Sequence, residues 1–424
     1  MTARERLRTA FPALQSPVYR RYLLAGVFAT IGAFMGQTAQ GWLVLVLTNS
    51  PALLGLAGTA TGLPTLFLAL FAGVMADRMD RRRLLVITNL VGALVAATLA
   101  TLTTLHVVEY WHVLVLAFLG GLTFTIQQPA NQAVVSTIVD RKALGNAIAL
   151  NAAQYNSLRI VAPALAGIFI AAGALQLGFW VQAGGFAMVA LIISRLPIPP
   201  TRDADRAQAA LWTDLADGVH YVRANRVLAT VVLLPAVPAL FVLNYLTFLP
   251  VYARDILQIG PAGIGLLAGA IGVGALAGAL SLAAFRPSGG SGRLILGALG
   301  MIGLALITFA VSRSVPVSMA AMLVIGAFQP LYYATTNILI QVLVPARLRG
   351  RVLSLYLLTS IGLIPVANLI GGAIAESVGV EAVLAAGGVL TIAIAGLVAV
   401  FERDVVRLRA AHLSHEPTPE PEAA

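Results

Sequence analysis

Arg159 places a guanidinium about halfway along an apolar run near residues 146–172. A charge at mid-bilayer costs about 2.5–3.5 kcal/mol on insertion scales, so it must face the interior of the protein. Asn151, Tyr155 and Arg159 stand at i, i+4 and i+8, so one polar stripe climbs that helix. No Asp or Glu falls well inside any apolar run, which leaves Arg159 without an ionic partner in the sequence. Two readings are open. The guanidinium bonds to amides such as Gln37, Gln127 or Asn131 as a structural device, or it attracts an anionic group on a ligand.

Other runs carry amides at the same spacing. Gln329, Tyr333, Asn337 and Gln341 are each four residues apart. Thr123, Gln127 and Asn131 form a second stripe, with Gln128, Gln132 and Ser136 one position on. Gln37, Gln40 and Trp42 mark the first run, and Asn244 and Tyr245 the seventh. These groups exchange hydrogen bonds and make no covalent bonds. Either they fasten helix to helix, or they line a cavity. A cavity of amides and aromatics without fixed acids suits an uncharged, amphipathic or anionic organic molecule.

Enzyme chemistry finds little support, and no cofactor is implied. The single lysine, Lys142, is outside any Walker loop, and no Ser-His-Asp or metal-ligand cluster stands out. His106 and His112, with Glu109 between them, read as a solvated loop rather than a metal site. Asp255 and Glu376, near the external ends of their runs, are the carboxylates best placed for proton coupling.

The elements that must hold these residues follow from composition. Of 424 residues, 59% are hydrophobic, and the mean hydropathy is +0.90. About 20 apolar residues span a bilayer, and the chain has roughly a dozen such continuous stretches. This is an all-α polytopic membrane pattern rather than the short alternating segments of a β-barrel. The first run, about Leu23–Leu47, is too long for the core of a signal peptide. With no cysteine there is neither a disulfide nor a thiolate metal site.

A net charge of +10 in a soluble protein would point to nucleic acid. Here 24 of the 27 Lys and Arg lie in the N-terminal tail, alternate loops and the C-terminal segment, Arg159, Arg254 and Arg313 being the rest (27 − 3 = 24). That is the positive-inside pattern. It puts both termini in the cytoplasm, requires an even number of spans, and removes the nucleic-acid reading.

The expected spans are 22–47, 52–76, 84–105, 112–137, 146–172 and 177–195, then 227–252, 261–285, 294–313, 316–342, 350–375 and 380–401. They divide the chain into a tail (1–21), a six-helix bundle (22–195), a cytoplasmic linker (196–226), a second bundle (227–401) and a C-terminal tail (402–424). In the linker, Leu211, Leu215, Val219 and Val222 recur at helical spacing, as in an amphipathic surface helix. The bundles are repeats. Pro51, Gly55 and Gly62 recur 210 residues later as Pro261, Gly265 and Gly272, and Gly121 and Gly167 recur 205 later as Gly326 and Gly372. Two parallel halves around a midplane site is a transporter architecture.

One loop concentrates charge. Gly73 to Arg83 holds Asp77, Arg78, Asp80, Arg81, Arg82 and Arg83 between two spans. It reads either as a basic turn that fixes topology or as a conformational latch. In the second case Asp77 accepts from backbone N–H groups near Arg349–Val352, and Arg78 or Arg82 pairs with Asp140.

Gly73, Asp77-Arg78 and Arg81-Arg82 match the loop between helices 2 and 3 of the major facilitator superfamily, with Asp80 where that family usually has Gly. The resemblance runs from about Tyr19 to Phe401. Leu144-Gly145-Asn146-Ala147, Ala162-Pro163-Ala164-Leu165-Ala166-Gly167, Leu249 to Asp255 and Gly372 to Glu376 are similar to the branch of enterobactin and macrolide exporters. The resemblance implies twelve transmembrane helices in two pseudo-symmetric bundles. It also implies a cavity lined by helices 1, 4, 7 and 10, and a loop at Asp77–Arg82 that holds the cytoplasmic side closed.

The expected function is export of a small organic molecule, drug-like or siderophore, by alternating access. The expected carrier is a monomer in the inner or plasma membrane, driven by protons. An uptake symporter of the same fold, and a non-transporting sensor or lipid-handling protein, are the alternatives. Buried acids would favour the first and an attached signalling domain the second.

Overall fold

The computed structural model describes residues 11–198, 211–284, 291–345 and 347–408. Within these, the side chains at 70, 73, 74, 76–78, 211–217, 283 and 284 are outside the described set. The first six membrane helices are α1 (Pro17–Thr48), α2 (Pro51–Arg78), α3 (Arg81–Thr104), α4 (Tyr110–Ile138), α5 (Leu144–Ala171) and α6 (Gln176–Ser194). A surface helix, Leu211–Ala224, follows and packs on the segment Arg349–Leu357. Then come α7 (Arg226–Ile256), α8 (Gly260–Ala284), α9 (Ser291–Val311), α10 (Val315–Leu343), α11 (Arg349–Val378) and α12 (Val380–Phe401).

Eleven of the described helices are long and apolar enough to cross a membrane. The remaining membrane helix, α5, has the length, 28 residues, but its apolar run is diluted by Asn146, Asn151, Gln154, Asn156 and Arg159. The helix that is poorest as a lipid-facing element is thus the one whose polar stripe includes Arg159.

Local sequence sets the breaks. Ser16 caps α1 by accepting from Tyr19 N at 3.2 Å, with Pro17 in the first turn. Asn49, at φ 50°, turns the chain, and Ser50 caps α2 with Pro51 behind it. Glu109 N donates to His112 Nδ1 at 2.9 Å, and Trp111 Nε1 donates to Glu109 Oε2 at 2.7 Å. The Glu109–His112 pair therefore fastens the start of α4. α7 is broken at Leu234–Pro235 and at Val242–Leu243, on either side of the short segment holding Pro238, and ends in a wide π turn, Tyr252–Ile256, just after Pro250. α11 has a second π turn, Leu358–Gly362, just before Pro365.

The internal repeat is a repeat of close helix crossings. α2 packs on α4, and α8 on α10 in the same way. A Cβ added at Gly121 would come within 1.9 Å of the Thr61 carbonyl oxygen; at Gly326 it would come within 2.1 Å of that of Ile271, the repeat partner of Thr61. Between the halves, α2 crosses α11 and α8 crosses α5. There Gly372 meets the carbonyl of Pro51, and Gly167 that of Pro261. The sequence repeat keeps glycine where backbones touch.

Candidate functional site

The hydrogen bonds that join the halves gather at the end of the bundle away from the termini, called here the outer end. Ser50 Oγ donates to Glu376 Oε2 at 2.7 Å, and Ala52 N donates to the same oxygen at 3.1 Å. Glu376 of α11 thus acts as a second cap on α2, where a carboxylate is favoured by the exposed N–H groups and the helix dipole. Arg254 of α7 reaches back to α1, donating to the Leu45 carbonyl at 3.3 Å and to Asn49, while Asp255 pairs with its Nε at 2.6 Å. Deeper in, Thr59 Oγ1 donates to the Pro365 carbonyl at 2.9 Å. Both expected proton-coupling carboxylates are therefore engaged in or beside outer contacts between the halves.

The interior wall differs between halves. In the first half several polar groups find protein partners, while Arg81 Nε is buried with none among the described residues. Tyr19 Oη lies 2.9 Å from the Ala147 carbonyl and 3.0 Å from Asn151 Oδ1, and Tyr22 Oη donates to the Asn131 carbonyl at 3.1 Å. Gln154 Nε2 donates to Thr30 Oγ1 at 3.3 Å, and the Thr65 and Thr125 hydroxyls share a bond of 2.8 Å. Asn151 is consequently as much a fastener of α1 to α5 as a lining group. Gln40, Gln127 and Asn131 are half-buried and Gln37 is exposed; Tyr155, also exposed, has its ring 5.3 Å from that of Phe34.

In the second half, buried polar atoms are left over. Asn244 Oδ1 and Tyr245 Oη on α7, and Gln329 Nε2, Tyr332 Oη, Tyr333 Oη and Thr335 Oγ1 on α10, are buried with no hydrogen-bond partner among the described residues. Arg159 and Gln329 both face the Tyr245 hydroxyl without closing a well-formed hydrogen bond to it, and Tyr333 lies within electrostatic reach of Tyr245 and Tyr356. Arg159 therefore looks across to α7 rather than to Gln37, Gln127 or Asn131. Tyr332 and Tyr356 carry no signal in the sequence, since neither falls on a polar stripe at four-residue spacing. Asn337 continues the α10 stripe and accepts from Gln341 Nε2 at 2.5 Å.

At the charged loop, Asp80 caps α3, its Oδ1 accepting from Arg83 N at 2.8 Å. The departure from Gly at this position thus has a local reason. The surroundings of Gly73 and the side chains of Asp77 and Arg78 lie outside the described set. Arg81 is half-buried, and among the described residues no ion pair joins Arg82 to Asp140, both of which are exposed.

The chain is similar to membrane transporters in both sequence and fold. The chain is 29% identical over 412 residues to the multidrug efflux pump Tap of Mycolicibacterium fortuitum, covering 93% of this chain and 98% of that one. It is 24% identical over 369 residues to the staphyloferrin A transporter of Staphylococcus aureus, covering 86% and 91%. The solved structure of the nucleoside transporter NupG superposes with a TM-score of 0.73 at 12% identity, over 95% of this chain and 100% of that one, and so shares the fold. The sequence profile of the transmembrane secretion effectors matches residues 8–424, and the chain belongs to that family of major facilitator transporters.

Proposed function

We propose that this multi-pass membrane transporter exports a small organic molecule, drug-like or siderophore, by alternating access driven by the proton gradient. The observation that carries the reading is the placement of polar groups. Breakable bonds join the halves at the outer end, and behind them both halves present polar side chains to a shared interior. Hydrogen bonds of this kind net about 0.5–1.5 kcal/mol each, so a few of them bias a near-balanced equilibrium rather than lock it. The efflux names of relatives fit this direction.

In this reading residues 22–195 and 227–401 move as two bodies about the 196–226 linker, both termini are cytoplasmic, and a single chain suffices. Gly73, Asp77, Arg78, Arg81, Arg82 and Asp140 control the inner side. Asp255 and Glu376 are the carboxylates through which protons act on the outer side. Gln37, Gln40, Gln127, Asn131, Asn151, Tyr155, Arg159, Asn244, Gln329, Tyr333 and Asn337 line the path.

The test is uptake of a compound panel into inside-out proteoliposomes, with and without an imposed pH gradient. Uptake of at least one compound that rises with the gradient is expected, and Asp77→Asn should cut it while expression holds. No uptake of any compound, or uptake indifferent to the gradient, contradicts the export or the proton claim respectively.

A further inference from the structure

Three donors meet where α5 of the first half faces α7 and α10 of the second. Arg159 offers guanidinium N–H groups, Tyr245 an O–H and Gln329 an NH2. Tyr245 is fully buried and Gln329 is 7% exposed, and both Tyr245 Oη and Gln329 Nε2 lack a partner among the described residues. The described ion pairs are Arg226–Glu402, Arg254–Asp255 and Arg313–Glu381, so none takes up Arg159. A buried polar group left unsatisfied costs about 1–3 kcal/mol, more when charged. The half-buried Arg159 guanidinium and the Gln329 amide nitrogen can only donate, and the Tyr245 hydroxyl can donate as well as accept, so with one cation among them the cluster favours an acceptor bearing negative charge. A cation would be repelled there, and a lone neutral carbonyl would leave the guanidinium unneutralised.

We propose that this junction is a carboxylate subsite: the acid group of an amphipathic organic anion docks on Arg159, Tyr245 and Gln329, with its apolar body against the Tyr332–Tyr333 wall. Those two rings stand edge to face, with centroids 5.3 Å apart. The ligand would then touch both halves at once, through Arg159 on one side and Tyr245 and Gln329 on the other. This deepens the export reading and takes its substrate class from it, but binding can be measured without transport.

The experiment is thermal unfolding of the purified full chain in detergent, titrated with sodium 1-naphthoate or with neutral 1-naphthamide at matched ionic strength. A ligand that binds the folded state raises the melting temperature with concentration. The naphthoate is expected to raise it and the amide to leave it unchanged. Arg159→Gln should weaken the naphthoate response about tenfold or more, and Tyr245→Phe and Gln329→Leu each by a smaller factor. Arg159→Lys should retain part of it. Equal stabilisation by the amide, no shift with naphthoate, or an unchanged response in Arg159→Gln overturns the subsite. Should Arg159→Gln fail to fold, undiminished responses in both Tyr245→Phe and Gln329→Leu overturn it equally. A naphthoate response lost in Arg159→Gln, with no naphthoate uptake into proteoliposomes, would uphold the subsite and count against export.

Discussion

The two halves repeat one another in their helix crossings and part company in their interiors. Gly121 against Thr61 and Gly326 against Ile271 are the same contact built twice. Yet several polar groups of the first half bond one another, as in Tyr19 with Ala147 and Asn151. In the second half more buried polar atoms, from Asn244 Oδ1 to Thr335 Oγ1, lack a partner among the described residues. A duplicated scaffold can thus carry two interiors that differ in how their polar groups are paired. Arg159 is the exception, a first-half residue aimed at the second-half wall.

The largest effect tests the part that the halves share. Gly121→Ala and Gly326→Ala each force a Cβ against a backbone oxygen that cannot swing away. Both should lose about 1–3 kcal/mol or more, read as a lower melting temperature of purified protein. A marked loss at one site only would break the equivalence of the crossings.

Smaller changes separate the walls. Tyr19→Phe removes a hydroxyl that serves two first-half acceptors, and about 1–2 kcal/mol of stability should go with it. Asp80→Ala removes the α3 cap seen at Arg83 N and should cost about 0.5–2 kcal/mol; a melt of the purified variant checks it. In the second half the sign changes. Gln329→Leu deletes an unpartnered buried amide nitrogen and should be neutral or stabilising by up to about 1 kcal/mol. A clear loss of stability there would mean that the wall is cohesive after all. The smallest effect belongs to the outer rim. Arg313→Ala breaks an exposed 3.0 Å pair with Glu381 and should move stability by about 0–1 kcal/mol.

Much of this arrangement is legible in the chain. Continuous apolar runs, the 205- and 210-residue offsets, and Pro and Gly at the ends mark the helices because a bilayer leaves the backbone few choices. The stripe on α10 and the odd charge at Arg159 mark the interior for the same reason. What the chain does not reveal is which polar groups cancel. Asn151 and Gln329 look alike in sequence, yet one bonds Tyr19 and the other is left open. That difference depends on which helices face each other, to within an ångström. Glu376 likewise reads as a candidate proton group, and only the crossing of α2 and α11 shows it capping a helix of the other half. The π turns in α7 and α11 are similarly hidden, since prolines announce a break but not its form.

The division of labour between the walls is tested most directly by one paired measurement: melting temperature and transport per folded molecule for Tyr19→Phe and Tyr245→Phe. Each variant loses a single buried tyrosine hydroxyl. Tyr19→Phe is expected to melt lower and transport normally, and Tyr245→Phe to melt at or above the parent and transport poorly. The reverse pattern, or the same change in both, would contradict the account.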